Sequence, residues 1–236
     1  IHILMKRLIF VIVFLLFISS CAKSSTTGSV KKDMNIQKII LKTSDGLSLS
    51  ANFYNAGSDK GVILLHQLGR DKSTYDSFAK KLVQNNISAI AIDLRGHGQS
   101  QGNLASFSQK DFDNMRLDVA SALDFLKSNK INKVYLVGAS IGANTVINFG
   151  ATDSSIKGVV ALSPGLDYRG IKTQDSAKKI KIPILIIVSR QDSYAFDSSN
   201  TLYGIITSDK QIKVYNGQQH GTDMFLSDDM DKLIIE

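Results

Sequence analysis

Val134-Tyr135-Leu136-Val137-Gly138-Ala139-Ser140-Ile141-Gly142 is the stretch whose reading decides the fold. The run from Val134 to Val137 is short and solidly apolar, as suits a strand buried on both faces. Small residues then crowd a turn, and a helical stretch follows. The pattern G-x-S-x-G is weak by itself. A strand before it and a helix after it are the context that gives it meaning. The glycines have a physical reason: a side chain presented on so tight a turn sits on strained backbone, and its neighbours must be small for clearance. An ordinary strand-to-helix turn with a serine cap fits the same residues. The rest of the chain has to choose between the two.

Outward from this stretch the same rhythm repeats. Val62 to Leu65, Ile87 to Ile92, Val159 to Leu162 and Ile184 to Val188 are further short apolar runs, and Ile212 to Tyr215 is a weaker one. Between them lie helical patterns. Tyr75, Phe78, Ala79 and Leu82 follow i, i+3, i+4, i+7. Phe112, Met115, Val119, Ala122, Leu123 and Leu126 continue the pattern over a longer span, behind Ser108 as N-cap. Nearer the start, Leu47, Leu49, Ala51 and Phe53 alternate with polar residues, and Ile36 to Leu41 is a partner across Ser44-Asp45-Gly46. An antiparallel pair leading into strand–helix repeats predicts an α/β fold. Its sheet is mostly parallel, of about eight strands flanked by helices, within one domain over residues 36–236.

Scarcity narrows the chemistry. The chain has 236 residues, 43% of them hydrophobic and 21% charged, a globular composition. Its 21 acidic residues are all Asp except Glu236, so any working carboxylate in the body of the chain is an Asp. One Cys excludes a disulfide framework. The net charge of +7 is scattered, and no motif points to a nucleic-acid partner. A serine hydroxyl needs a base, most often His. Leaving aside His2 near the start, the candidates are His66, His97 in Arg95-Gly96-His97-Gly98, and His220 in Asn216-Gly217-Gln218-Gln219-His220-Gly221. Asp192 lies just past the run Ile184 to Val188, with Asp197 and Asp223 as spare acids. Ser140, Asp192 and His220 each fall just beyond a predicted strand, at the edge of the sheet where such folds place their sites.

From about Lys38 to its end the chain resembles the α/β hydrolases, in particular the small serine hydrolases related to dienelactone hydrolase and bacterial esterases. The resemblance rests on Gly138 to Gly142, on Asp192 and His220 in that chain order, on His66-Gln67-Leu68-Gly69, and on Asp93-Leu94-Arg95-Gly96-His97-Gly98-Gln99-Ser100. It implies Ser140 as nucleophile, His220 as general base then acid, and Asp192 as the partner that orients it. The backbone N–H groups of Leu68 and Ile141 would form the oxyanion hole. His66 and His97 are read as structural, as are Asp93 and Arg95. One departure stands out: the family's His-Gly pair is His66-Gln67 here. The interval between Leu162 and Ile184 is too short for a full cap domain, so an open site and small or extended esters or thioesters are expected. No metal or organic cofactor is implied. Acyl transfer to another acceptor, peptide cleavage and a non-catalytic binding module are the alternatives within the same fold.

The ends read differently. Lys6-Arg7, an apolar run from Leu8 to Ile18, and Ser19-Ser20-Cys21 form a secretory signal over residues 1–20. The apolar run is shorter than the ~20 residues of a membrane-spanning helix. Ile18-Ser19-Ser20-Cys21 resembles the lipobox of bacterial lipoproteins, which implies a lipid on Cys21 and a membrane-anchored protein of the cell envelope, facing out of the cytoplasm. Residues 21–35 read as a flexible tether. At the other end Met224, Phe225, Met230, Leu233 and Ile234 suggest an amphipathic helix whose pattern runs to the last residue, so its continuation is expected.

Overall fold

The computed structural model describes residues 36–226 and 230–236. The expected signal, the expected lipid-attachment residue Cys21 and the expected tether lie outside them. The alternating segment near the start forms β2 (Ser48–Tyr54), paired antiparallel with β1 (Ile36–Lys42), with Ile39 opposite Ala51. The apolar runs form β3 (Lys60–Leu65), β4 (Ser88–Ile92), β5 (Lys133–Ala139), β6 (Ile156–Leu162), β9 (Ile184–Ser189) and β10 (Lys210–Tyr215). These build an eight-stranded sheet in the order β1-β2-β4-β3-β5-β6-β9-β10. All neighbours from β4 onward are parallel, and β2 joins β4 antiparallel.

The solid apolar character of these strands follows from burial on two sides. Successive side chains point to opposite faces. Ile63 and Leu65 of β3 therefore pack with Val119, Leu123 and Val146, while Val62 and Leu64 pack with Phe78, Leu82 and Met230. The first face is covered by α3 (Met115–Ser128), α4 (Ile141–Gly150) and α6 (Ser193–Ile205). The second carries α1 (Asp76–Gln84) and α7 (Met230–Ile235). Each fully buried aliphatic side chain contributes about 1.5–3 kcal/mol, so the two layers supply the main driving force.

Two local features differ from the sequence reading. The long helix expected behind Ser108 is two helices. Ser108 and Asp111 form a capping box on the short α2 (Gln109–Asp113), and Asn114 breaks the run before α3. Asn114 also donates to Asp45 at 3.2 Å, which holds the break in place. Between β6 and β9 the chain makes a small antiparallel hairpin, β7 (Asp167–Tyr168) with β8 (Ile171–Lys172), followed by α5 (Gln174–Lys179). Arg169 and Gly170 both have positive φ, 54° and 80°, the signature of a two-residue type I′ turn.

The order of the sheet locates the site. β4 lies on one side of β3 and β5 on the other, so the connections after these strands diverge. The carboxyl ends of strands at such a switch point form a natural crevice. The loop carrying His66 leaves β3 there, and the turn carrying Ser140 leaves β5.

Candidate active site

Ser140 is the single residue between β5 and α4, at φ 53° and ψ −115°. A residue with a Cβ avoids this region, which costs about 1–3 kcal/mol and persists only where the surroundings impose it. They do so here. The Ser140 N–H donates to the Leu162 carbonyl at 2.8 Å, and its carbonyl accepts from the Asn144 N–H at 3.0 Å. The flanking glycines give clearance. A Cβ on Gly138 would sit 2.2 Å from the Gly142 carbonyl oxygen, and one on Gly142 would sit 2.6 Å from that of Leu65. The turn is thus pressed against the end of β3. Ser140 itself is 7% exposed.

His220 follows β10, and its Nδ1 lies 2.6 Å from Asp192 Oδ2. Asp192 stands between β9 and α6, where its N–H donates to the Ser189 carbonyl at 3.2 Å. With the carboxylate ionised, Nδ1 carries the proton and Nε2 is left as acceptor, the tautomer a general base needs. Gly221 carries the imidazole loop onto the Ser140 turn: a Cβ there would lie 3.2 Å from the Ala139 Cβ. The Gly221 N–H also donates to Ser163 Oγ at 3.0 Å. The His220 side chain is 34% exposed, so the site opens to solvent. Of the spare acids, Asp197 is exposed on α6 rather than capping its start, and Asp223 pairs with Arg70 at 3.2 Å.

The other two histidines are occupied elsewhere. His66 is fully buried, and its Nε2 accepts the Leu94 N–H at 3.0 Å. Its Nδ1–H then donates to the Gln67 carbonyl at 2.8 Å. Burial pushes its pKa down to about 4, so it stays neutral, with both ring nitrogens engaged. His97 stacks edge-on against it at 5.0 Å, with its Nδ1 on the Arg95 carbonyl at 2.9 Å. Asp93 accepts from the Lys72 and Gln99 N–H groups, both at 2.8 Å. The Arg95 guanidinium spans Asp118 and Asp45. Burial pushes the Asp118 carboxyl up to about 6, against the pull of Arg95, whereas the same arginine draws the more exposed Asp45 down to about 2. These networks brace the loops that frame the site.

Gln67 takes a part the sequence did not assign. Its Oε1 accepts from the Thr222 N–H at 2.7 Å and from Thr222 Oγ1 at 2.8 Å, and its Nε2 donates to the His220 carbonyl at 3.3 Å. The amide therefore ties the loop after β3 to the loop bearing His220. The positive φ of the first loop falls on Gly69, at 73°, so Gln67 needs no glycine-like backbone. Leu68 sits between them, half-buried against the core, in a turn closed by the Arg70 N–H on the Gln67 carbonyl at 3.1 Å. Ile141 opens α4, where the first backbone N–H groups have no acceptor inside the helix and the helix dipole is positive.

Tyr168 is a second residue that sequence reasoning missed. The β7–β8 hairpin brings its ring edge-to-face with His220, centroids 6.1 Å apart at 88°. The Arg169-Gly170 pair was the available signal, since glycine in a two-residue turn marks a hairpin. Among the described residues, no group of three or more His, Cys, Asp or Glu could hold a metal ion, and no helix is long and apolar enough to cross a membrane.

The family described as serine aminopeptidase, S33, matches residues 57–171. An uncharacterized protein of Mycobacterium tuberculosis is 35% identical over 97 residues, which make up 41% of this chain and 26% of that protein. The chain thus matches about a quarter of the length of such relatives. An esterase from Pyrococcus furiosus has a similar structure, with a TM-score of 0.73 at 19% identity, over 86% of this chain and 91% of that one. A dienelactone hydrolase from Anabaena variabilis superposes with a TM-score of 0.70 at 16% identity, over 86% and 94%. By its eight-stranded sheet, its helices on both faces and these structural likenesses, the chain has the α/β-hydrolase fold.

Proposed function

We propose that this chain is a serine hydrolase of carboxylic esters, thioesters included, working through an acyl-enzyme. Ser140 attacks the carbonyl while His220 Nε2 takes its proton. The Leu68 and Ile141 N–H groups hold the oxyanion. His220 then passes the proton to the leaving alcohol, and water repeats the sequence on the acyl-Ser140 ester. The observation that carries this reading is the 2.6 Å His220–Asp192 bond beside the strained turn of Ser140. The expected anchor at Cys21 would hold this site at the cell envelope.

The description of the matched family favours a second reading, removal of an N-terminal residue from a peptide. That reaction calls for an acid to hold the substrate ammonium. Asp192 is engaged by His220 and Asp223 is paired with Arg70, so the ester reading ranks first. Turnover of short acyl esters, assayed beside aminoacyl anilides, separates the two. We expect ester turnover that falls at least ~10³-fold in Ser140→Ala and in His220→Ala. Unchanged ester turnover in Ser140→Ala would sink the mechanism.

A further inference from the structure

We propose that Tyr168 is a catalytic residue of this site, its hydroxyl donating a hydrogen bond to the leaving-group oxygen of the ester. The proposal rests on the ester-hydrolase reading above and adds a group to it.

The first observation is the side of the nucleophile on which Tyr168 stands. In the sheet, β3 and β6 flank β5. The loop with Leu68 leaves β3, and the hairpin with Tyr168 follows β6. The Leu68 loop and the tyrosine hairpin therefore reach the end of β5 from opposite sides, which sets Tyr168 apart from the Leu68 donor. The tyrosine ring stands edge-to-face with the His220 imidazole, and its hydroxyl donates to the carbonyl of Ser163, the residue whose Oγ accepts the N–H of Gly221 next to His220. The substrate atom between a nucleophile and its general acid is the leaving-group oxygen, the atom that His220 protonates.

The second observation is how firmly so small a hairpin is held. Asn144, fully buried one turn into α4, accepts the Gly165 N–H at 2.9 Å and donates to the Ile171 carbonyl at 2.7 Å. The Tyr168 ring lies so close to Gly165 that a Cβ there would come within 2.6 Å of it. Tyr194 packs edge-on at 5.5 Å, and its hydroxyl grips both the N–H and the carbonyl of Asp167, at 3.0 and 2.9 Å. Strands of two residues would not keep one side chain in place without these supports.

The third observation is the state of the hydroxyl. Burial, reinforced by the negative charge of Asp192, raises its pKa, so it stays protonated and able to donate. It donates to the Ser163 carbonyl at 3.3 Å, long for an O–H···O bond and readily exchanged for a better acceptor. In acylation the Ser140 Oγ–carbon bond forms and the carbon–leaving-group bond breaks. The proton from Ser140 travels through His220 to the departing oxygen. Tyr168 keeps its own proton and stabilises the charge that develops there.

A leaving group that is already a stable anion needs this help little, and an alkoxide needs it most. The test compares wild type, Tyr168→Phe and Tyr194→Phe on a 4-nitrophenyl ester and an ethyl ester of the same short acid. Tyr168→Phe is expected to lower kcat on the ethyl ester about tenfold, with KM and the nitrophenyl rate nearly unchanged. Tyr194→Phe, which only loosens the hairpin, should change both esters alike. Equal losses on the two esters in Tyr168→Phe, or no loss on either, overturn the proposal while wild-type turnover that vanishes in Ser140→Ala keeps the parent reading intact. A wild type that turns over neither ester overturns both.

Discussion

The Gln67 amide makes the three bonds that join the loop after β3 to the loop bearing His220. Removing it leaves the Thr222 N–H and hydroxyl without their acceptor in a buried place, a loss of about 1–3 kcal/mol. Part of that should appear as misplacement of His220. Gln67→Ala is therefore expected to lower kcat about tenfold with KM nearly constant, because the residue acts through the base and not on bound substrate. Steady-state kinetics on one ester checks it, and a change confined to KM would contradict the role. Ser140, Asp192 and His220 could be picked as candidates from sequence because histidines are few and each candidate follows a strand. The Gln67 contacts were not legible: its partners lie 153 and 155 residues away, and only the closed sheet brings them together.

Elements repeat the lesson with a different cause. Strands β3, β4, β5, β6 and β9 announce themselves as apolar runs because both faces of the sheet are covered there, whereas the first pair shows by alternation and the edge strand β10 by a weaker run. The β7–β8 hairpin carries no such signal, since two-residue strands are shorter than any periodicity. Its place depends on α4, through Asn144 and, one turn later, through Asn148, which donates to the Lys172 carbonyl at 2.9 Å. Asn144→Ala leaves the buried Gly165 N–H and Ile171 carbonyl unpaired and should destabilise by about 2 kcal/mol or more. Asn148→Ala removes one exposed bond and should cost no more than about 0.5 kcal/mol. Denaturant titration of the two variants measures the contrast, and equal stabilities would show that the hairpin is held by something else. The break at Asn114 was hidden for another reason. The apolar pattern runs straight through it, while the bond to Asp45 and the capping box decide the ends.

At the scale of the whole molecule, buried ionisable groups govern the response to acid. His66 titrates near 6.5 in an unfolded chain and is pushed down to about 4 by burial. Below pH 6.5 the unfolded state therefore binds a proton that the folded state refuses, and stability falls as pH drops from about 6.5 to about 4, by roughly 3 kcal/mol. Asp118 has the opposite sign. Its carboxyl, raised from 3.8 to about 6, takes up a proton in the folded state first, so its contribution to stability rises as pH falls through about 6. The two effects oppose each other over the same window. His66→Asn removes the first and keeps the second, so the variant should gain stability between pH 7 and pH 5 relative to wild type. Denaturant melts at the two pH values measure this, and identical changes in both proteins would contradict it.

The central claim concerns Ser140, and covalent capture tests it most directly. A fluorophosphonate reacts with a serine whose hydroxyl is activated by a neighbouring base and leaves a stable adduct. Intact mass followed by peptide mapping identifies the residue that carries it. The expected result is one adduct per chain, on Ser140, absent in Ser140→Ala and greatly slowed in His220→Ala. A wild-type chain left unlabelled, or labelled at a residue other than Ser140, would contradict the assignment of Ser140, Asp192 and His220 as its catalytic machinery.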